Sequence, residues 1–265
     1  MVIMVIVQRA KNMKGNKIRL NHYLAKCGVD SRRKCDDFIQ KGQVAVNGKI
    51  VTKMGVQIDP WVDVVTFNNE VVRPQEKLFY ILLNKPLRTV TTTSDEKHRK
   101  TVLDIVRIEE RIYPVGRLDY NTTGALLLTN DGDLAYFLAH PRFEISKIYR
   151  ILLDKRMRPI DLHHFRKGLK LDTFVTSPCR IEEIRVLDNR SYLEVEIHEG
   201  KNRQIRRMFD SLNYNVCELE RIEFAGLRIQ NMKAGDWRFL AQTEISHLKE
   251  MVNLQRYKIL GTQSE

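Results

Sequence analysis

GRLDYNTTGALLLTNDG, residues 116–132, changes backbone state twice within seventeen residues. It follows RIYPVGRL (111–118), a strand pattern ending in a Gly-Arg turn, and its own GALLLT is an apolar run of strand length. Asn130-Asp131-Gly132 then makes a turn, and DLAYFLAH (133–140) reads as helix. Asp119 therefore falls at a strand end, ahead of the turn-rich YNTTG, where a side chain can be displayed into a cleft. Gly116 and Gly124 on either side permit close backbone approach. By spacing alone a surface loop is the simpler reading, with Asp119 capping the turn and Thr122 and Thr123 bonding the backbone.

Outward from this run the pattern stays strand-rich. FYILLNKP (79–86) is a buried strand ended by Pro86, and RTVTTT (88–93) is β-branched and reads as strand. ISKIYRILLD (145–154), CRIEEIRVL (179–187) and SYLEVEIHEG (191–200) add three more. Helical periodicity returns in RQIRRMFDSL (203–212), where Ile205, Met208, Phe209 and Leu212 share a face. DLHHFRKG (161–168) is polar, so His163 and His164 are surface residues rather than ligands. Strands that follow one another without alternating helices predict α+β with a mainly antiparallel sheet.

The N-terminal part is a separate small unit. Leu20, Tyr23 and Leu24 follow helical spacing, and Ser31 is an N-cap for a second helix through Phe38 and Ile39. QVAVNGKIV (43–51) is a hairpin about Asn47-Gly48, and VDVVTFNNEVV (62–72) a strand pair about Asn68 and Asn69. The chain thus divides into a flexible basic tail (1–16), the module (17–70), a linker with Pro74 (71–78), a larger domain (79–250) and a C-terminal tail (251–265) ending in a frayed GTQSE.

Lys and Arg outnumber Asp and Glu by 45 to 33, a net charge of +12 that favours a polyanionic partner, nucleic acid before membrane. Between Arg9 and Lys53 only Asp30, Asp36 and Asp37 oppose twelve basic residues. Arg32, Arg33 and Lys34 open the second helix, where free N–H groups already attract phosphate; a solvated basic face is the bland alternative. The opening MVIMVIV is far too short to span a bilayer, which needs about 20 apolar residues, and no membrane partner is expected. Cys27, Cys35, Cys179 and Cys217 contain no CxxC pair, so neither zinc nor a disulfide framework is expected.

Arg19-Leu20-Asn21, Ser31-Arg32-Arg33 and Gly42-Gln43-Val44-Ala45-Val46-Asn47-Gly48 together resemble the S4-type RNA-binding domain, which implies that Arg19, Arg32, Arg33 and Lys34 contact RNA. The run 116–132 resembles the signature of the RsuA/RluB-type ribosomal RNA pseudouridine synthases, with Ala125 in place of the usual Leu. Two further stretches fit in order: HPRFEISKIYRILLD, ending around Lys-x-Tyr, and EGKNRQIRRM, followed by L-x-R. The resemblance implies a catalytic domain with a mixed, mainly antiparallel sheet and a central cleft. It makes Asp119 the catalytic carboxylate, with Tyr149 packing on the target base. Arg206 would pair with the carboxylate through charge-assisted hydrogen bonds, and Leu219 would floor the pocket. Arg117 is expected beside the pocket, and Lys201, Arg203 and Arg207 on RNA.

Such an enzyme breaks the uracil N1–C1′ bond, turns the base and rejoins it through C5, which requires no cofactor. Asp119 would attack C1′, attack C6 or take a proton from C2′, on a uridine everted from folded RNA. Ribosomal RNA, free or in a pre-ribosomal particle, is the implied partner of a cytoplasmic monomer, and the 141–155 region leans toward large-subunit members. A non-catalytic ribosome-assembly factor or chaperone on the same fold is the alternative.

Overall fold

A computed structural model describes residues 17–261 of the chain, which divides into one unit through Leu78 and another from Phe79. The expected tail 1–16 lies outside the described residues.

In the first unit, β1 (Ile18–Arg19) runs into α1 (Leu20–Lys26), and α2 (Arg32–Gln40) follows. The Ser31 hydroxyl accepts from the Lys34 N–H at 3.3 Å, the cap the sequence predicts. β2 (Val44–Val46), β3 (Lys49–Ile50), β4 (Gln57–Ile58), β5 (Val65–Phe67) and β6 (Glu70–Val71) complete it. The order β3-β2-β5-β6 is antiparallel throughout, with β1 paired to β4. Positive φ at Asn47 and Gly48, and again at Asn68 and Asn69, gives both hairpins the turn whose twist suits paired strands. Leu20, Tyr23, Leu24, Cys35, Ile39, Val44, Ile58 and Val65 form the core. The expected linker is tied down as far as Gln75: the Tyr23 hydroxyl donates to the Val72 carbonyl and the Gln75 N–H to that of Lys26.

The second unit is built on one mixed sheet. Its elements are β7 (Tyr80–Lys85), β8 (Tyr113–Pro114), β9 (Thr123–Thr129), α3 (Gly132–Ala139), β10 (Lys147–Leu153), α4 (Pro159–Lys167), β11 (Arg180–Leu187), β12 (Arg190–Ile197), α5 (Gln204–Asp210), β13 (Val216–Phe224), β14 (Leu227–Arg228), β15 (Trp237–Phe239) and α6 (Gln242–Gly261). The order is β11-β12-β10-β13-β9-β7-β15, with β8 beside β9 and β14 beside β13. Every pairing is antiparallel except β9 with β13. Both faces are covered, which is why the central strands read as unbroken apolar runs. Ile81, Leu83, Leu126 and Leu128 enter one core, while Tyr80, Leu82, Ala125 and Leu127 enter the other.

Two local expectations change, those for RTVTTT and for the C-terminal tail, while DLHHFRKG and the Asn-Asp-Gly turn gain detail. RTVTTT is loop with a single bridge, Val90 to Thr101, because its threonines bond nearby backbone: Thr89 to the Leu87 carbonyl, Thr92 to that of Ser94, and Thr91 to that of Leu118. DLHHFRK lies in α4, opened by Pro159 and ended at Gly168, with His163 and His164 exposed as expected. Asp131 caps α3 through the Leu134 N–H at 3.0 Å, so the Asn-Asp-Gly turn leads to a helix. Helix α6 continues to Gly261, through most of the segment expected as a C-terminal tail.

The parallel contact between β9 and β13 rests on Gly124. It has φ +111°, and a Cβ there would lie 2.2 Å from the Arg221 carbonyl oxygen. Gly116, at φ +69°, has open space where its Cβ would be. Urea denaturation of Gly124→Ala is expected to show a loss of at least about 3 kcal/mol, from clash plus strain. Gly116→Ala, carrying backbone strain alone, should lose about 1–2 kcal/mol. Equal losses would mean that β9 and β13 separate freely.

Candidate active site

The loop after Gly116 is held on both sides of Asp119. Leu118 is buried, and the Thr91 hydroxyl serves both of its backbone groups, donating to its carbonyl at 2.8 Å and accepting from its N–H at 3.3 Å. The Asp119 carbonyl accepts from the Thr122 N–H at 3.1 Å, and the Tyr120 carbonyl from the Arg88 N–H at 2.9 Å. With Leu118 anchored inward, the half-buried Asp119 is carried on a rim rather than on a free loop.

That rim borders a cavity of about 300 Å³. Asp119, Arg117, Tyr149, Arg206 and Leu219 all line it, together with Lys201 and Arg203. Tyr149 on β10 and Leu219 on β13 are nearly buried and sit on neighbouring strands, with Arg221 opposite Tyr149 and Leu219 opposite Ile151. Arg207 does not reach the cavity. Its guanidinium donates to the Thr173 hydroxyl at 2.9 Å and stands over the Phe174 ring at 4.9 Å, with the Lys201 ammonium at 4.2 Å from the same ring. Arg19, Arg32, Arg33 and Lys34 belong to the first unit, all exposed.

Arg206 departs from the expected pairing. Its direct hydrogen bonds go to two carbonyls, Asn121 at 2.7 Å and Val216 at 3.1 Å, and its Nε is buried without a partner. Burial lowers its pKa, the neighbouring Arg203 adds to this, and Asp119 opposes both as a nearby negative charge. The guanidinium thus ties the Asp119 loop to β13 and faces the carboxylate through space.

Several cations around Asp119 and its cavity carry no role in the sequence reading. Lys85, at the end of β7, is fully buried; its ammonium donates to the Pro86 carbonyl at 2.9 Å. Burial lowers its pKa to about 8, with Asp119 pulling the other way. Lys147 and Arg221 line the cavity, and Lys147 is also brought to about 8 by burial, then by Arg221, against Glu199. Burial works against a charged Glu199, yet its carboxyl is held below the usual range by the Ser177 N–H, Lys201 and Gln204. A basic residue closing an apolar strand, and an Arg two positions from Leu219 on a β-strand, were the available signals. The result is a carboxylate at the edge of a pocket with an aromatic wall, an apolar floor and cations on several sides. Such a site suits a flat, oxygen-rich ring attached to an anionic backbone, and a carboxylate so placed has the chemistry of a nucleophile or a base.

The chain matches two family models: RNA pseudouridylate synthase over residues 79–211, and the S4 domain over residues 18–60. It is 40% identical over 240 residues to the ribosomal large subunit pseudouridine synthase B of Bacillus subtilis (strain 168), covering 89% of this chain and 97% of the relative. An uncharacterized RNA pseudouridine synthase of Aquifex aeolicus (strain VF5) is 36% identical, covering 90% and 96%. The dual-specificity RNA pseudouridine synthase RluF of Escherichia coli (strain K12) is 33% identical, covering 89% and 80%. A crystal structure of a pseudouridylate synthase superposes with a TM-score of 0.63 at 28% identity, over 87% of this chain and 99% of that one.

Lys85 supplies a prediction. Between pH about 8, where it deprotonates in the fold, and pH about 10.5, its unfolded value, the folded state holds fewer protons. Its contribution to stability therefore rises with pH across that window. The stability of the parent relative to Lys85→Met should climb by on the order of 2 kcal/mol from pH 7 to pH 10, read from urea denaturation. A flat difference would show that Lys85 keeps an ordinary pKa.

Proposed function

The chain belongs to the RNA pseudouridylate synthase family, and from that premise we propose that it isomerises one uridine of large-subunit ribosomal RNA, with Asp119 as its catalytic carboxylate. The non-catalytic assembly factor considered from the sequence gives way to an enzyme. The observation that carries the residue assignment is the meeting of Asp119, Tyr149, Arg206 and Leu219 around one cavity, from four separate segments of the chain.

In this reading the everted uracil lies against Tyr149 and Leu219, which keep water from the reacting bonds. Asp119 acts as nucleophile or base while the N1–C1′ bond opens, and Arg206 and Lys85 stabilise its charge through space. The Tyr149 hydroxyl serves the proton transfer that follows attachment at C5. Arg117, Lys201 and Arg203 on the cavity wall receive the phosphates beside the target nucleotide. Arg207 supports that wall through Phe174. Arg19, Arg32, Arg33 and Lys34 bind RNA away from the target through exposed charges. The kinship with the Bacillus subtilis large-subunit enzyme favours that ribosomal subunit. A ribosomal RNA substrate, free or in a pre-ribosomal particle, implies work in the cytoplasm. One chain supplies every residue invoked, which favours action as a monomer.

Asp119→Asn is expected to lower the single-turnover rate by at least about 10³-fold while RNA affinity stays within a few fold. Retained turnover would remove Asp119 from the chemistry. Carbodiimide primer extension on ribosomes from cells lacking the protein should lose one stop in large-subunit RNA; a small-subunit loss would move the substrate. Changing Arg32 and Arg33 together to Ala should weaken RNA binding and reduce the slope of log affinity against log salt by about 1.5–2. The rate at saturating RNA should change little, and a collapse there would put those arginines in the reaction itself.

A further inference from the structure

Arg221 is a buried cation that the mechanism above does not use. It is 3% exposed, and its guanidinium lies in the wall of the reaction cavity. Its Nε donates to the Ala125 carbonyl at 2.8 Å and its plane covers the Phe224 ring at 4.6 Å, so its position is set from two sides. Its Nη2 is buried without a hydrogen-bond partner, and no carboxylate among the described residues is paired with it. A buried, unpaired guanidinium is costly, and such costs concentrate at functional sites. The group it faces is Tyr149, its register partner on β10. Burial lowers the pKa of Arg221, and the Tyr149 oxygen works against that effect. Lys147, two residues before Tyr149, is a further cation nearby, with Glu199 acting on it in turn.

We propose that Arg221 is the positioning residue for Tyr149 and makes its hydroxyl the relay for the last proton transfer. This rests on the uridine isomerisation proposed above. A guanidinium only donates, so the phenolic oxygen turns a lone pair toward Arg221 and its hydrogen into the cavity. After C5 has joined C1′, the ring carries a C5–H bond and an N1=C6 double bond. The phenolic proton passes to N1, whose π electrons to C6 become its lone pair. The C5–H electrons close the C5=C6 bond, and the C5 proton comes to the phenolic oxygen. Tyr149 ends unchanged, and the phenolate character it gains midway develops beside Arg221.

The test is single-turnover kinetics on an RNA carrying the target uridine, with hydrogen or deuterium at C5. Arg221→Gln should slow the reaction at saturating RNA by about 10- to 100-fold, with the RNA dissociation constant within about threefold. Its rate should fall further with deuterium at C5, while the parent is insensitive. Arg221→Lys should recover most of the loss, and Arg221→Gln should add nothing in the Tyr149→Phe background. A loss without deuterium sensitivity, a full loss added to that of Tyr149→Phe, or a loss of RNA binding alone would overturn the assignment. Should Arg221→Gln fail to fold, Arg221→Met takes its place alone and with Tyr149→Phe, and an Arg221→Lys rate as low as that of Tyr149→Phe would overturn the assignment. Failure of the underlying reading has a different signature: the parent forms no pseudouridine, or Asp119→Asn turns over.

Discussion

The close passage of β9 against β13 at Gly124 and Arg221 is the constraint from which the cleft follows. A side chain at 124 would occupy the space of the Arg221 backbone, so the only parallel pairing in the large sheet depends on a residue without one. That pairing brings the end of the Asp119 loop beside the strand that carries Leu219 and Arg221. β10, on the other side of β13, then presents Tyr149 to the same space. Residues from positions 119, 149, 206, 219 and 221 share one cavity because a single sheet order places their strands next to one another.

The electrostatics of the cleft follow from burial more than from direct ion pairing. Lys85 and Arg206 donate to backbone carbonyls and act on Asp119 across space. A carbonyl partner holds a cation in place without neutralising it, which leaves its field available to a developing negative charge. A direct bidentate pair with Asp119 would fix the carboxylate more firmly and spend part of that field. The basic character of the whole chain works at longer range, drawing in the RNA backbone before the local cations act on a nucleotide.

Much of this was legible in the residues themselves. The Asn-Gly and Asn-Asn turns, the Ser31 cap, the apolar faces of α1 and α5 and the buried runs of β7 and β9 are local signals, and the fold obeys them. RTVTTT misled because threonine hydroxyls that compete for backbone partners are favoured in loops as readily as β-branched carbons are in strands. The strand β13 was hidden because VCELERIEF alternates imperfectly, its inward positions including an arginine. The expected Arg206–Asp119 hydrogen bonds depended on a geometry of fractions of an ångström that spacing does not encode. Lys85 and Arg221, the latter closing the L-x-R motif, carry no role in the sequence reading, because a cation looks like surface until its neighbours are known.

By itself the sequence determined the two-part organisation, the α+β class, the basic character and, through the motif around Asp119, the family. The first three depend on periodicity, turn chemistry and charge count, which are properties of neighbours along the chain; the family rests on the likeness of the motif to a known signature. The tertiary structure alone decided which cations surround the carboxylate, that Arg206 is bound to carbonyls, and that Arg207 stands over Phe174 outside the cavity. It also decided that Arg221 lies buried opposite Tyr149. Those outcomes depend on strand order and register, and therefore on contacts between residues far apart in sequence that no local pattern specifies.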